Sequence, residues 1–237
     1  MKILGIDSST RICSLGLIEE HNILTEYNIN SYYQKTSSIL VPAIKTMLEG
    51  VNLTLAEIDG IAVAIGPGSF TGLRIGLGVA KGLCYATTSL PLWGISTLDA
   101  LAYSLRGVPS LICPLLLSTR EEIFSAVFRG GEDSLEKIID YDCSDMDTLL
   151  AKISFLKEKI IFIGEGLKKY QKAIQERLNQ EALFIDSPLA FPRGVNIAFL
   201  GLEKLQKGEK EDIHTLSPLY LRKSQAEMVR EKKTTEI

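Results

Sequence analysis

Gly66-Pro67-Gly68-Ser69-Phe70-Thr71-Gly72-Leu73-Arg74 is the stretch on which the fold turns. It follows Ile61 to Ile65, branched and small residues with the character of a buried strand, and leads into a helix reaching about Ala86. A glycine turn between strand and helix aims backbone N–H groups and the positive helix end at one spot, which suits an anion such as phosphate. The loop is not a Walker A sequence, because no Lys-Ser/Thr pair follows. Nor is it a Rossmann fingerprint with its later acidic residue. A phosphate cradle and a plain tight turn both remain open from these residues alone.

The helix carries Gly76, Gly78 and Gly82 inside it, each costing roughly 1 kcal/mol relative to Ala. On a helical wheel Gly72, Gly76 and Ala80 share one face and Gly78, Gly82 and Ala86 another, while Arg74, Lys81 and Tyr85 form a narrow polar edge. A helix lying on a sheet needs one packed face. The second is expected to receive another helix, from a partner chain or from Ile39 to Leu48, whose apolar stripe includes Ile44 and Met47.

Outward from this element, Lys2 to Asp7, Ile12 to Ile18 and Ile23 to Ile29 read as a three-stranded meander. The helix at Ile39 to Leu48 follows and stops at Gly50. Thr54 to Glu57 has the form of a capping box, Leu92 to Ile95 is a strand, and a helix starts near Thr97. The second half begins alike, with Ser110 to Leu117 and Ile123 to Phe128 as strands. Ser9-Thr10-Arg11 and Ser118-Thr119-Arg120 each separate a strand pair, which implies a degenerate duplication. Met146 to Ile153, Leu167 to Leu178 and Gly194 to Leu205 read as helices, Lys159 to Ile163 and Leu183 to Ile185 as strands, and Leu219 to Leu221 as extended. From Arg222 the chain is largely polar and charged, and it is expected to be poorly ordered.

At 237 residues and 46% hydrophobic content the chain has enough apolar mass for a core, and its net charge of −3 gives no global field for a nucleic-acid backbone. The start lacks a signal-peptide h-region, since Asp7 interrupts the apolar run. No uncharged stretch is long enough to span a bilayer, so a soluble cytoplasmic protein without membrane contact is expected. Cys13, Cys84, Cys113 and Cys143 are widely spaced, as suits reduced thiols, and His21 and His214 lie too far apart to suggest a zinc site.

Asp7, ending the first strand before Ser8-Ser9-Thr10, is the candidate magnesium ligand, with Gly66 and Gly68 beside phosphate; a capped turn is the alternative. Its counterpart in the second half is Ser118, which leaves the duplicated site without a second carboxylate. No nucleophile–histidine arrangement is visible.

Ile6-Asp7-Ser8-Ser9-Thr10, the Gly66 to Gly76 run, Ala80-Lys81-Gly82-Leu83, Ser96-Thr97-Leu98 and Pro218-Leu219-Tyr220-Leu221-Arg222 together resemble the TsaB (YeaZ) family over nearly the whole chain. The resemblance implies an α/β protein of the actin-like ATPase (ASKHA) fold with two pseudo-duplicated lobes, residues 1–104 and 105–222, and a flexible tail at 223–237. It implies a non-catalytic subunit for N6-threonylcarbamoyladenosine formation at position 37 of tRNAs reading codons that begin with A. The implied partners are a TsaD-like transferase and a TsaE-like ATPase, with tRNA met indirectly and a homodimer as the alternative assembly. Nucleotide, ATP or ADP with magnesium, is implied at most for the assembled complex. The competing reading is an independent actin-fold ATPase or small kinase.

The paralogous TsaD holds its metal with a His-x-x-x-His pair on the helix matching Thr97 to Tyr103, where this chain has no histidine. The resemblance also puts the partner contact on helices of the first lobe, with Gly72, Arg74, Gly76, Gly78, Ala80, Gly82, Ile44 and Met47 as its residues. Two departures stand out. Ser118-Thr119-Arg120 replaces the usual Asp-Ala-Arg, and the histidine common near Lys35-Thr36 is missing.

Overall fold

The computed structural model describes residues 1–32, 35–87, 90–118, 121–132, 134–187 and 190–221. The tail expected at 223–237, and Thr119 and Arg120 of the second Ser-Thr-Arg, lie outside the described residues.

The first half runs β1 (Lys2–Asp7), β2 (Ile12–Glu19), β3 (Asn22–Asn30), α1 (Thr36–Gly50), β4 (Gly60–Gly66), α2 (Phe70–Ala86), β5 (Leu92–Ser96) and α3 (Thr97–Tyr103). The second runs β6 (Leu111–Leu117), β7 (Ile123–Gly130), β8 (Leu135–Ser144), α4 (Met146–Ile153), β9 (Ile160–Ile163), α5 (Leu167–Leu178), β10 (Ala182–Ile185) and α6 (Gly194–Gln206). Their sheets have the orders β3-β2-β1-β4-β5 and β10-β9-β6-β7-β8. Reading β6 to β10 for β1 to β5 makes the two orders identical, each an antiparallel meander continued by parallel strands through helical crossovers. The duplication hinted at by three shared residues is thus a property of the whole topology.

Strand β8 is absent from the sequence reading. Glu136, Lys137, Asp140 and Asp142 break its apolar alternation, because it is an edge strand paired with β7 alone and charges there face solvent.

Leu4, Ile6, Leu15, Leu17 and Val63 project from one face of the first sheet into a core with Leu40, Met47 and Leu77 of α1 and α2. The other face is covered by α6, which packs Val195, Ala198 and Leu202 against Ile3, Ala62 and Trp93. A boundary at residue 105 assigns α6 to the second lobe, yet the helix lies on the first. The approach is backbone to backbone: a Cβ at Gly5 would come within 3.0 Å of Gly194 and Ala198. Helix α3 makes the reciprocal move, burying Leu98 and Leu101 against Ile112, Phe124 and Phe128 of the second sheet. Two crossed-over helices therefore hold the lobes together.

Candidate functional site

Asp7 ends β1 with no solvent exposure. Its carboxyl receives the Ser9 N–H at 3.1 Å and the Ser9 hydroxyl at 3.0 Å, and among the described residues no cation pairs with it. Burial pushes its pKa up to about 7, against the opposing pull of the Ser9 hydrogen bonds.

The glycine turn packs on Ser9, two residues after this group. Gly66, at φ +115°, takes a conformation costly for a side chain and joins Pro67 through a cis peptide. The Ser69 N–H, first at the helix end, donates to the Ser9 carbonyl at 2.7 Å, and the Ser69 hydroxyl caps α2 by accepting from Gly72 N–H at 3.2 Å. A Cβ on Gly68 would lie 2.5 Å from the Ser9 carbonyl oxygen. The two turns that would have to part around a phosphate are packed against each other. Gly68 and Ser69 are brought against Ser9, two residues after Asp7, but the arrangement does not fit a metal–phosphate group, because the Asp7 carboxyl is fully buried and the leading N–H is spent on Ser9. Among the described residues no group of three His, Cys, Asp or Glu side chains gathers as a metal ligand set.

The two smooth faces of α2 have separate fates. Gly72 and Gly76 press on the β1–β2 turn: a Cβ on either would come within 3.0 Å of Ser8, whose hydroxyl donates to the Gly72 carbonyl at 2.8 Å. Ala80 is fully buried in the core. These three are intramolecular, which corrects their place on the expected partner face. The inward glycines exist because Ser8, by its carbonyl at Gly72 and its hydroxyl at Gly76, occupies the room a side chain would need. Ile44 and Met47 require the same correction: the apolar stripe of α1 is the one that covers the sheet, and both are buried with Leu40 and Leu77. By contrast a Cβ on Gly78 or Gly82 would meet nothing within 4 Å. With exposed Arg74 they form a row at i, i+4 and i+8, and exposed Val41 and Pro42 lie on neighbouring α1.

The C-terminal strap was not foreseen as part of the site. After α6, Trp93 Nε1 donates to the Glu209 carbonyl, Gly94 N–H to the Glu211 carboxylate, and Leu219 N–H to the Ile65 carbonyl at 2.7 Å. Tyr220 thereby lies on Phe70, ring centroids 5.2 Å apart, and its hydroxyl accepts from Arg74 Nε at 3.0 Å. The sequence held both ends of this contact, in the glycine run and in Pro218 to Leu221, without a local pattern to join them.

Comparisons with known proteins bear on this arrangement. A family model described as TsaD, tRNA N6-adenosine threonylcarbamoyltransferase, matches residues 31–229. The tRNA threonylcarbamoyladenosine biosynthesis protein TsaB of Bacillus subtilis is 31% identical over 96% of both chains, and that of Escherichia coli 34% identical over 95% of this chain and 96% of its own. The chain belongs to the TsaB family. It also falls within the broader group that the TsaD model describes. The solved structure of YeaZ from Pseudomonas aeruginosa matches at a TM-score of 0.75 and 23% identity, covering 93% of this chain and 99% of that one. The ROK hexokinase of Thermus thermophilus matches at 0.50 and 12%, covering 86% of this chain. These likenesses bear on fold alone, and they agree with the two-lobed actin-like expectation. A TsaB-family member thus has its glycine signature used structurally, to dock a turn, cap a helix and seat a strap. No helix among the described residues is long and apolar enough to cross a membrane.

Proposed function

We propose that this chain is a non-catalytic, cytoplasmic subunit in tRNA threonylcarbamoyladenosine biosynthesis. It docks on a TsaD-like transferase through the open row of α2 and works with a TsaE-like ATPase, meeting tRNA only through that assembly. The observation that carries the reading is the contrast within one element: the N-terminal turn of α2 is packed on Ser8 and Ser9, while Arg74, Gly78 and Gly82 lie exposed. A helix interior bearing two open glycines forgoes roughly 2 kcal/mol relative to Ala, which close approach of a partner offsets. Any ATP or ADP with magnesium belongs to the assembled complex rather than to the Asp7 turn, and a second copy of the chain is the rival occupant of the row. The test mixes the chain with TsaD- and TsaE-like proteins and assays tRNA modification with and without it. Gly82→Leu is expected to abolish co-purification with the transferase while the chain stays folded; an unchanged pull-down refutes the reading.

The rival activity is an independent actin-fold ATPase or small kinase. Titration calorimetry with ATP and Mg²⁺ separates the two. Binding by the isolated chain at millimolar nucleotide would favour the kinase reading, against the enclosure of Asp7.

A further inference from the structure

Arg74 is held in an unusual way for an exposed side chain. Its guanidinium carbon lies 3.9 Å from the centroid of the Phe70 ring and 6.0 Å from that of Tyr220, and Nε is tied to the Tyr220 hydroxyl. Phe70 and Tyr220 remain 40% and 44% exposed. Among the described residues the two terminal amino groups of Arg74 meet no acceptor. The fork is therefore fixed at its root, and among the described residues its tip is unsatisfied. Much of the side-chain entropy that an arginine loses on forming a two-pronged bond is already lost in the free protein.

The surrounding charge favours one class of occupant. Helix α2 has Arg74 and Lys81 and no carboxylate, and Ile213 to Leu221 of the strap has none. On α1 the acid is Glu49, which is paired with Lys45 at 3.7 Å. At the start of the strap Asp212 is an exposed acid whose carboxylate accepts the His214 N–H at 2.9 Å, so a chain of net charge −3 presents here Arg74, Lys81 and Lys45 against Glu49 and Asp212. A second copy meeting this face across a two-fold axis would set the same basic residues near one another, with no free acid in α1, α2 or residues 213–221 to answer Arg74.

We propose that Arg74, set by Phe70 and Tyr220, is a preformed receptor for a carboxylate on a helix of the partner protein, so that the α2 row selects a different, acidic chain over a second copy of itself. The inference rests on the reading of that row as the partner face. It assigns the strap a role in recognition: Tyr220, 146 residues from Arg74 in sequence, orients the arginine. A fork-on-carboxylate pair adds geometric specificity that a lysine lacks.

The experiment measures binding of the full chain to the TsaD protein of the same organism by calorimetry at low and high salt, with self-association followed by sedimentation. Arg74→Ala is expected to weaken partner binding by about tenfold or more at low salt, with a smaller loss at high salt, and to leave self-association undiminished. Arg74→Lys is expected to fail nearly as badly, and Tyr220→Phe, which keeps the ring but drops the tie to Nε, to fall between. Parent-like binding by Arg74→Ala alongside loss of binding by Gly82→Leu overturns the proposal and leaves the partner face standing. Parent-like binding by both variants overturns the partner face itself. The proposal also falls if Arg74→Ala weakens self-association or tRNA retention instead, or if its effect vanishes when residues 223–237 are removed.

Discussion

Replacing Asp7 by Asn tests whether the sealed turn holds a neutral acid. In the unfolded chain this carboxyl titrates near 3.8, and in the fold at about 7. Below about pH 4 both states hold the proton and the group costs nothing. As pH rises, the unfolded chain releases the proton while the fold retains it, so stability falls by about 1.4 kcal/mol per pH unit until the folded carboxyl also ionises. Over roughly three units the loss reaches about 4 kcal/mol, and it is complete above pH 7. Asn keeps the shape and a carbonyl acceptor for Ser9 but cannot ionise. Asp7→Asn is therefore expected to match or fall slightly below the parent at pH 4.5 and to exceed it by about 2–4 kcal/mol at pH 8. Urea unfolding followed by circular dichroism at both pH values gives the difference directly, and carboxylates whose pKa is held low by a hydrogen-bonded cation, Asp140 by Lys137 and Glu158 by Arg129, cancel between the two proteins. A difference that stays constant across this range refutes the reasoning. So does a parent whose stability is unaffected by Asp7 being charged, because a site open enough for magnesium would hydrate the carboxylate.

The two faces of α2 should separate cleanly in stability. Gly76→Ala, which drives a methyl into Ser8, is expected to cost about 2 kcal/mol or more, while Gly78→Ala and Gly82→Ala should each gain about 0.5–1 kcal/mol in thermal or urea melts. Burial raises the Cys13 and Cys84 thiols to about 12 and about 11, so a thiol reagent at pH 7.5 should label half-buried Cys143 well before the other three, which become reactive in denaturant. Truncation before Pro218 should release Phe70 and Arg74, raising hydrogen exchange at the start of α2 while the far end of the helix is unchanged; protection retained there would show that the strap is not what orders the turn.

Most of the element order was legible because each half repeats short apolar strands and amphipathic helices, whose periods are written residue by residue. The glycine turn, its position between β4 and α2 and the asymmetry of Gly-rich α2 follow from local sequence, since helix propensity and turn conformation are local properties. Strand β8 was not legible: an edge position relieves it of the alternation by which strands are recognised. Nor was the direction of each face of α2, because a helical wheel states which residues share a face and says nothing of what stands opposite. Only tertiary packing put Ser8 against Gly72 and Gly76, left Gly78 and Gly82 bare, and turned the apolar stripe of α1, with Ile44 and Met47, toward the sheet. The same holds for Asp7, whose type and place at a strand end suggested a metal, and whose complete burial in the fold, beside a Ser9 held by a turn some sixty residues away, decides otherwise. The sequence by itself determined which residues turn, cap and pack locally. The tertiary structure decided which of them remain available to another molecule, because availability depends on what the rest of the chain lays over them.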